Sequence, residues 1–281
     1  MAFEYPDIEL AIRFYRALRQ EGGYDLLVSF AAPHPVHWGV AYARTRQHQI
    51  AKTWVADCGD PYMGNESDTF KRWFYFEYVE RWFCNKVDFI SVPTQASVLA
   101  YYPEFKTKIV IIPQGFKFEE IAKFRRESAC DIVTFAYAGV LIPKWRDPTQ
   151  FLEFIIQLPN QFRFRLYTNT QELVKPFVNA SNGRIEIFPI VPRATLLEEL
   201  GGIDFVVNFE NAGNRQTPSK LIDYAILEKP ILSIGKSLPR ETILEFLDRN
   251  YSHRFEVQDI DRYRIETVSS HFLALALCSH E

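Results

Sequence analysis

Short apolar runs alternate with stretches of helical spacing along almost the whole chain. After Pro6-Asp7, apolar residues at Ile8, Leu10, Ala11, Phe14, Tyr15 and Leu18 recur at helical intervals until Gly22-Gly23, which predicts an opening helix. Tyr24 to Ala31 is a compact apolar run of the kind that forms a buried parallel strand. A helical stretch from Val36 to Arg46 follows His34-Pro35, and then a strand from Gln49 to Ala56 runs into the polar, breaker-rich Asp57-Cys58-Gly59-Asp60-Pro61. Ser67 is placed to cap a helix from Asp68 to Asn85. Strands are expected at Val87 to Val92 and Lys108 to Ile112, with a short helix at Gln95 to Tyr102 between them.

Pro113-Gln114-Gly115-Phe116 closes this series, and the charged segment Lys117 to Ser128 reads as a linker or hinge helix. The predicted division is therefore a first domain over 1–116 and a second over 117–281. The second series alternates strands at Ile132 to Tyr137, Phe162 to Tyr167, Arg184 to Phe188, Asp204 to Phe209 and Pro230 to Ile234 with helices at Pro148 to Gln157, Gln171 to Asn179 and Arg193 to Leu200 and one starting at Thr217. Further helices are expected at Arg240 to Leu247 and Ile265 to Leu277. Repeated βα units imply an all-parallel, doubly wound sheet in each half. In such sheets ligands sit beyond the C-terminal ends of the strands, and two such domains would face each other across a cleft.

The Thr217 segment carries the clearest chemistry. Thr217 is a good N-cap and Pro218 suits the first helical position. The amides of Ser219, Lys220 and Leu221 would then point out of a positive helix end to which Lys220 adds a full charge, which makes an anion site. The bland alternative is an i, i+3 surface pair between Lys220 and Asp223. The preceding loop, Glu210 to Gln216, is longer than an ordinary βα connection, which favours function.

Composition narrows the rest. The 281 residues are 47% hydrophobic and 24% charged, enough for a sizeable core, and a net charge of −3 gives no general reason to expect nucleic acid as a partner. The 4 cysteines are scattered, without metal or disulfide spacing, which fits a reducing cytoplasm, and no apolar run is long enough to span a membrane. Aromatics are 15% of the chain, with a concentration from Phe70 to Phe83 that suits either a bulky core or a membrane-facing surface. The expected location is cytoplasmic, with peripheral contact at the inner membrane face left open.

Neither a dinucleotide fingerprint nor a Walker A run is present, and there is no G-x-S-x-G elbow. Arg146, in Lys144-Trp145-Arg146-Asp147-Pro148, is a second candidate anion contact, while Asp147 and Pro148 are equally a helix start. His34 and His37 lack a third ligand nearby, so no metal site is expected, although His34 could line a cleft. Asp57 and Asp60 follow a strand's C-terminal end, where a carboxylate can take a proton or orient a sugar; turn formation is the plain alternative.

Taken together these segments resemble the GT-B glycosyltransferases of the family 4 type. Phe135-Ala136-Tyr137-Ala138-Gly139 with Arg146-Asp147-Pro148 looks like the opening of that family's donor domain. Ile187-Phe188-Pro189-Ile190-Val191-Pro192 resembles its base-holding segment, and Asp204-Phe205-Val206-Val207, Pro218 to Tyr224 and Lys229 to Leu232 are similar to its nucleotide-sugar run. Upstream, Trp54 to Asp57 with Asp60-Pro61, then Glu80 with Val87-Asp88, and Ile111 to Phe116 look like acceptor-domain motifs.

The resemblance implies two Rossmann-like parallel-sheet domains that move a sugar from a nucleotide-diphospho-sugar to a saccharide or lipid-linked acceptor, as in polysaccharide biosynthesis. It implies no cofactor or metal ion, and usually retention of configuration. Ser219 and Lys220 would contact the diphosphate with Arg146 assisting, Gly139, Ile190 and Val191 would line the donor site, and Asp223 would hold donor hydroxyls. Three features depart from the family pattern. Asp223 stands for a glutamate, Val140 stands where a basic residue is common, and about the first hundred residues of a usual acceptor domain have no counterpart. The N-terminal domain is therefore expected to be incomplete. The alternatives are a non-catalytic subunit completed by a partner chain and a sugar-nucleotide epimerase of the same architecture.

Overall fold

The computed structural model describes residues 5–64, 72–128, 131–210 and 219–278. Its elements in chain order are α1 (Ile8–Leu18), β1 (Tyr24–Ala31), α2 (Pro35–Ala43), β2 (Ala51–Cys58), α3 (Phe76–Lys86), β3 (Phe89–Val92), β4 (Ile109–Ile111), α4 (Phe118–Ala122), β5 (Val133–Ala138), α5 (Thr149–Ile156), β6 (Phe162–Tyr167), α6 (Lys175–Ala180), β7 (Ile185–Phe188), α7 (Arg193–Gly201), β8 (Phe205–Phe209), α8 (Ser219–Ile226), β9 (Ile231–Ile234), α9 (Arg240–Leu247) and α10 (Ile265–Cys278). The expected Thr217 cap, Pro218, most of the loop before them and Ser67 lie outside the described residues. The helix expected from residue 68 runs from Phe76, and the one expected at Gln95 is a 3-10 helix from Gln95 to Ala100 capped by Thr94.

The chain forms two compact units, one of 5–116 with 261–278 and one built from 117–260. The sequence placed 261–278 in the second domain; here α10 packs on β1 and β2 of the first. Its start packs closely on Gly115, where a Cβ would meet Ile265 Cδ1 at 2.6 Å and Ile265 Cα at 3.3 Å. Phe116 and Ile265 also exchange backbone bonds with this neighbourhood, Phe116 N donating to Tyr263 O and Ile265 N to Phe116 O.

The first unit is a four-stranded parallel sheet in the order β1-β2-β3-β4. Its core joins Trp38, Trp54, Phe83, Ile90 and Tyr101. Eight of the nine residues of α2 are buried beneath α1, and Gly39 permits that crossing, since a Cβ would lie 2.6 Å from Ala11 O. The described part of the aromatic segment divides between core and exposed positions. Phe76 and Phe83 are core, while Phe74 and Tyr78 are exposed, and an apolar cavity of about 720 Å³ lies between α1 and α3, lined by Ile12, Tyr15, Trp38, Tyr42, Tyr78 and Trp82 among others.

The second unit is a five-stranded parallel sheet in the order β7-β6-β5-β8-β9. Every residue of β5 and β8 is buried, as expected of central strands covered on both faces. Phe135 anchors this core, stacked on Phe205 with ring centroids 4.5 Å apart and on Phe164 at 4.7 Å. Both units tie a strand to its neighbour with one device. Asp204 Oδ2 accepts from Thr134 N and pairs with Arg249, and Asp88 Oδ2 accepts from Trp54 N and pairs with Arg44.

Candidate functional site

The order β7-β6-β5-β8-β9 means that the chain leaves β5 towards one edge and returns to build β8 and β9 on the other side. The C-terminal ends of β5 and β8 therefore flank a topological switch point, the usual ligand position in such sheets. Gly139 follows β5 there, with φ at +142°, a conformation that glycine adopts at no steric cost. A Cβ on Gly139 would lie 3.2 Å from Tyr137 Oη and 3.9 Å from Lys220 Nζ, so the start of α8 reaches the end of β5.

Lys220 is the centre of this arrangement. Its Nζ is buried with no hydrogen-bond partner among the described residues, and it stands 4.3 Å from the centroid of the Tyr137 ring. Burial first, and then the charge of Arg146, lower its pKa to about 7. Arg146 donates from Nη1 to Val140 O, and Tyr137 Oη donates to the same carbonyl. The structure thus brings Gly139, Arg146 and Lys220 together. Asp147 does what a helix start requires, accepting from Thr149 N at 3.0 Å through Oδ1.

Asp223 does not pair with Lys220, which removes the intrahelical surface pair as the account of these two residues. Its carboxylate is instead held by Arg193 at the start of α7, Nε donating to Oδ2 at 3.1 Å and Nη2 to Oδ1 at 2.5 Å. Ser219 is exposed, Ile190 is 49% exposed and Val191 is partly buried in the segment between β7 and α7 that leads to Arg193. Sequence reasoning missed Arg193 and the ring of Tyr137. The partners of Arg193 and Lys220 lie 30 and 83 positions away by residue number, and only the sheet order brings them near.

In the first unit two of the three candidates, His34 and Asp57, sit in a more buried setting. His34 is 5% exposed, its Nε2 lies 3.0 Å from the backbone O of Asp60, and burial lowers its pKa to about 4. Asp57 accepts from Ser91 Oγ, and burial raises its pKa. The Asp60 side chain belongs to an exposed residue. Beside them lies a buried polar chain that the sequence did not reveal: Trp54 Nε1 donates to Ser29 Oγ, which is 2.8 Å from His37 Nδ1, and His37 Nε2 is 3.5 Å from Cys58 Sγ. Burial pushes the Cys58 thiol far up, which favours its neutral form. Glu80 is 1% exposed, accepts from Tyr102 Oη at 2.8 Å, and is pushed up to about 7, chiefly by burial.

Among the described residues no group of three or more His, Cys, Asp or Glu side chains could hold a metal ion, and no helix is long and apolar enough to cross a membrane. No family model matches the chain, and no curated protein matches it in sequence. Solved structures do match. Two parallel α/β units in succession, the second with its switch point between β5 and β8, make this the fold of the GT-B glycosyltransferases. The chain is similar to HepE from Anabaena, whose crystal structure holds UDP, with a TM-score of 0.64 at 12% identity over 96% of this chain and 82% of that one. It is also similar to a glycosyltransferase from Rickettsia africae ESF-5, with a TM-score of 0.61 at 11% identity over 98% and 79% of the two chains. Sucrose-phosphate synthase from Thermosynechococcus elongatus gives a TM-score of 0.52 at 16% identity over 98% and 77%.

Proposed function

We propose that the protein is a glycosyltransferase that takes its sugar from a nucleotide-diphospho-sugar and passes it to a saccharide or lipid-linked acceptor. The observation that carries this reading is the buried Lys220 ammonium without a hydrogen-bond partner among the described residues, placed with Gly139 and Arg146 at the switch point of the second sheet. Moving an ammonium out of water costs several kcal/mol, and a desolvated ring contact returns about 2 or more of it. The free site meets that cost by easing the proton off Lys220, and a bound anion would restore the charged form. A diphosphate fits because two cationic side chains, Lys220 and Arg146, stand together, and because the bare backbone of Gly139 lets a ligand approach closely. These groups would stabilise the charge that develops on the leaving diphosphate without a metal ion. The matching fold of HepE with its UDP supports the same reading. Asp57, Asp60 and His34 stay candidates on the acceptor side, and retention of configuration is part of the proposal by resemblance.

The test is turnover. The protein is incubated with UDP-, GDP- and ADP-sugars, with and without saccharide and lipid-linked acceptors, and release of nucleoside diphosphate is followed. Acceptor-dependent release from one donor is expected; a folded protein that releases nothing from any of them contradicts the reading.

A further inference from the structure

The helix α1 has apolar residues at helical intervals, yet none of its 11 residues is buried. Ile8, Ile12 and Tyr15 instead form one side of the cavity of about 720 Å³ that it shares with α3. The rings of Tyr15, Tyr42 and Trp82 make a continuous wall of that cavity, meeting edge to face with centroids 5.6 Å and 5.9 Å apart. A cation stands at each end of the row: the Arg19 guanidinium lies 5.8 Å from the Tyr15 centroid, and the Lys86 ammonium 4.9 Å from the Trp82 ring. Tyr42 is 66% and Tyr78 70% exposed, so the cavity meets solvent through apolar side chains. Trp38 lines it as well, and its buried indole N–H has no acceptor among the described residues. The acids of the two helices are already engaged, Glu9 with Arg13 and Glu77 with Arg81, while Glu80 is buried. Arg16, Arg19 and Lys86 pair with no carboxylate among the described residues, a local surplus of positive charge on a chain whose net charge is −3.

We propose that this cavity docks the first unit on a bilayer by taking one acyl chain of an anionic phospholipid, with Arg19 and Lys86 at the headgroup phosphate. The inference is independent of the donor reading of Lys220, which concerns the second unit. A hydrocarbon chain covers the apolar walls, and its ester carbonyl is the single acceptor that the Trp38 N–H lacks. Tyrosine and tryptophan rings suit the boundary between hydrocarbon and water, and the stems of Arg19 and Lys86 lie along those rings while their charges stay at headgroup level. A short helix with arginines on its polar side and an uncovered apolar side lies in the plane of such a boundary. A second copy of the chain fits less well. Across a two-fold axis it would bring the same surplus of positive charge from both sides, which an anionic surface neutralises.

Vesicle flotation of the full chain tests this. Vesicles of equal parts phosphatidylcholine and phosphatidylglycerol are expected to bind it roughly tenfold or more tightly than phosphatidylcholine alone, the scale of two or three basic side chains at an anionic surface, and less tightly as salt rises. Arg16→Gln with Arg19→Gln is expected to lose that preference. Ile12→Ser with Tyr78→Ser, both at exposed positions, is expected to lose binding to either vesicle at an unchanged melting temperature. Phosphatidylglycerol brominated along its acyl chains is expected to quench tryptophan fluorescence, and to quench it less in Trp82→Phe. Equal binding to the two vesicles, no binding to either, full binding by the Ile12→Ser, Tyr78→Ser variant, or unquenched fluorescence overturns the proposal. Binding of monomeric dihexanoyl-phosphatidylglycerol without binding to vesicles also overturns it, in favour of a free amphiphile. A dimer in light scattering that the Ile12→Ser, Tyr78→Ser variant dissolves overturns it in favour of a second copy.

Discussion

The ammonium of Lys220 lies over the Tyr137 ring, 4.3 Å from its centroid, at the one point in the second sheet where the chain reverses its direction of growth. Tyr137 is the penultimate residue of β5 and Lys220 the second of α8, so the two sides of the switch point meet through this pair. The relation gives the site a charge that the fold alone leaves poorly compensated.

The first consequence concerns pH. With a free-state pKa of about 7, Lys220 is increasingly neutral above that pH, and an anionic ligand must restore its proton. Affinity for a nucleotide-sugar, whose diphosphate does not titrate in this range, is expected to fall by up to about tenfold per pH unit above pH 7. Lys220→Arg keeps its charge, and its binding profile is expected to be flat between pH 7 and 9. Calorimetry across that range checks both.

Gly139→Ala places a methyl group at a backbone φ of +142° and against Tyr137 Oη at 3.2 Å and Lys220 Nζ at 3.9 Å. Strain at such a position costs roughly 1–3 kcal/mol. The expected outcome is a lower melting temperature together with weaker nucleotide-sugar binding, measured on the same sample.

Glu80 provides a test of the first unit. Its folded pKa of about 7 is raised above its ordinary value of 4.5, so the folded state holds a proton that the unfolded chain releases between those values. Stability from this group is complete below pH 4.5 and is lost as pH rises through 7. Glu80→Gln keeps a neutral side chain at all pH values. Its melting temperature relative to wild type is expected to rise between pH 4.5 and 7 and then level off.

Phe135 stacks on Phe205 and Phe164 in the fully buried centre of the second sheet. Phe135→Ala is expected to cost about 3–5 kcal/mol in denaturant unfolding.

The sequence made the alternation of elements readable because both sheets are parallel and buried, and their strands appear as compact apolar runs separated by helical spacing. Strand bounds such as Phe162–Tyr167 follow directly from that contrast. The position of α10 was not readable, since an apolar helix fits any open sheet face, and its place here goes with close packing on Gly115 and the backbone bonds of Phe116 to Tyr263 and Ile265. At the site, Lys220 was visible from its place after a strand run, but its burial was not, because the ring that receives it comes from β5 and the glycine from the residue just after it. Arg193 looked like any arginine beginning a helix. Its meaning lies in a partner on α8, and that pairing depends on strand order, which periodicity does not encode.

The most direct measurement is calorimetric titration of UDP-, GDP- and ADP-sugars into wild type and into Lys220→Met, which retains the length of the buried side chain and removes its charge. The account predicts that one donor binds the wild type and binds Lys220→Met at least about tenfold more weakly, the effect of losing a charge-assisted contact, with a melting temperature no lower than wild type at pH 7. Equal affinity in the two proteins would contradict it.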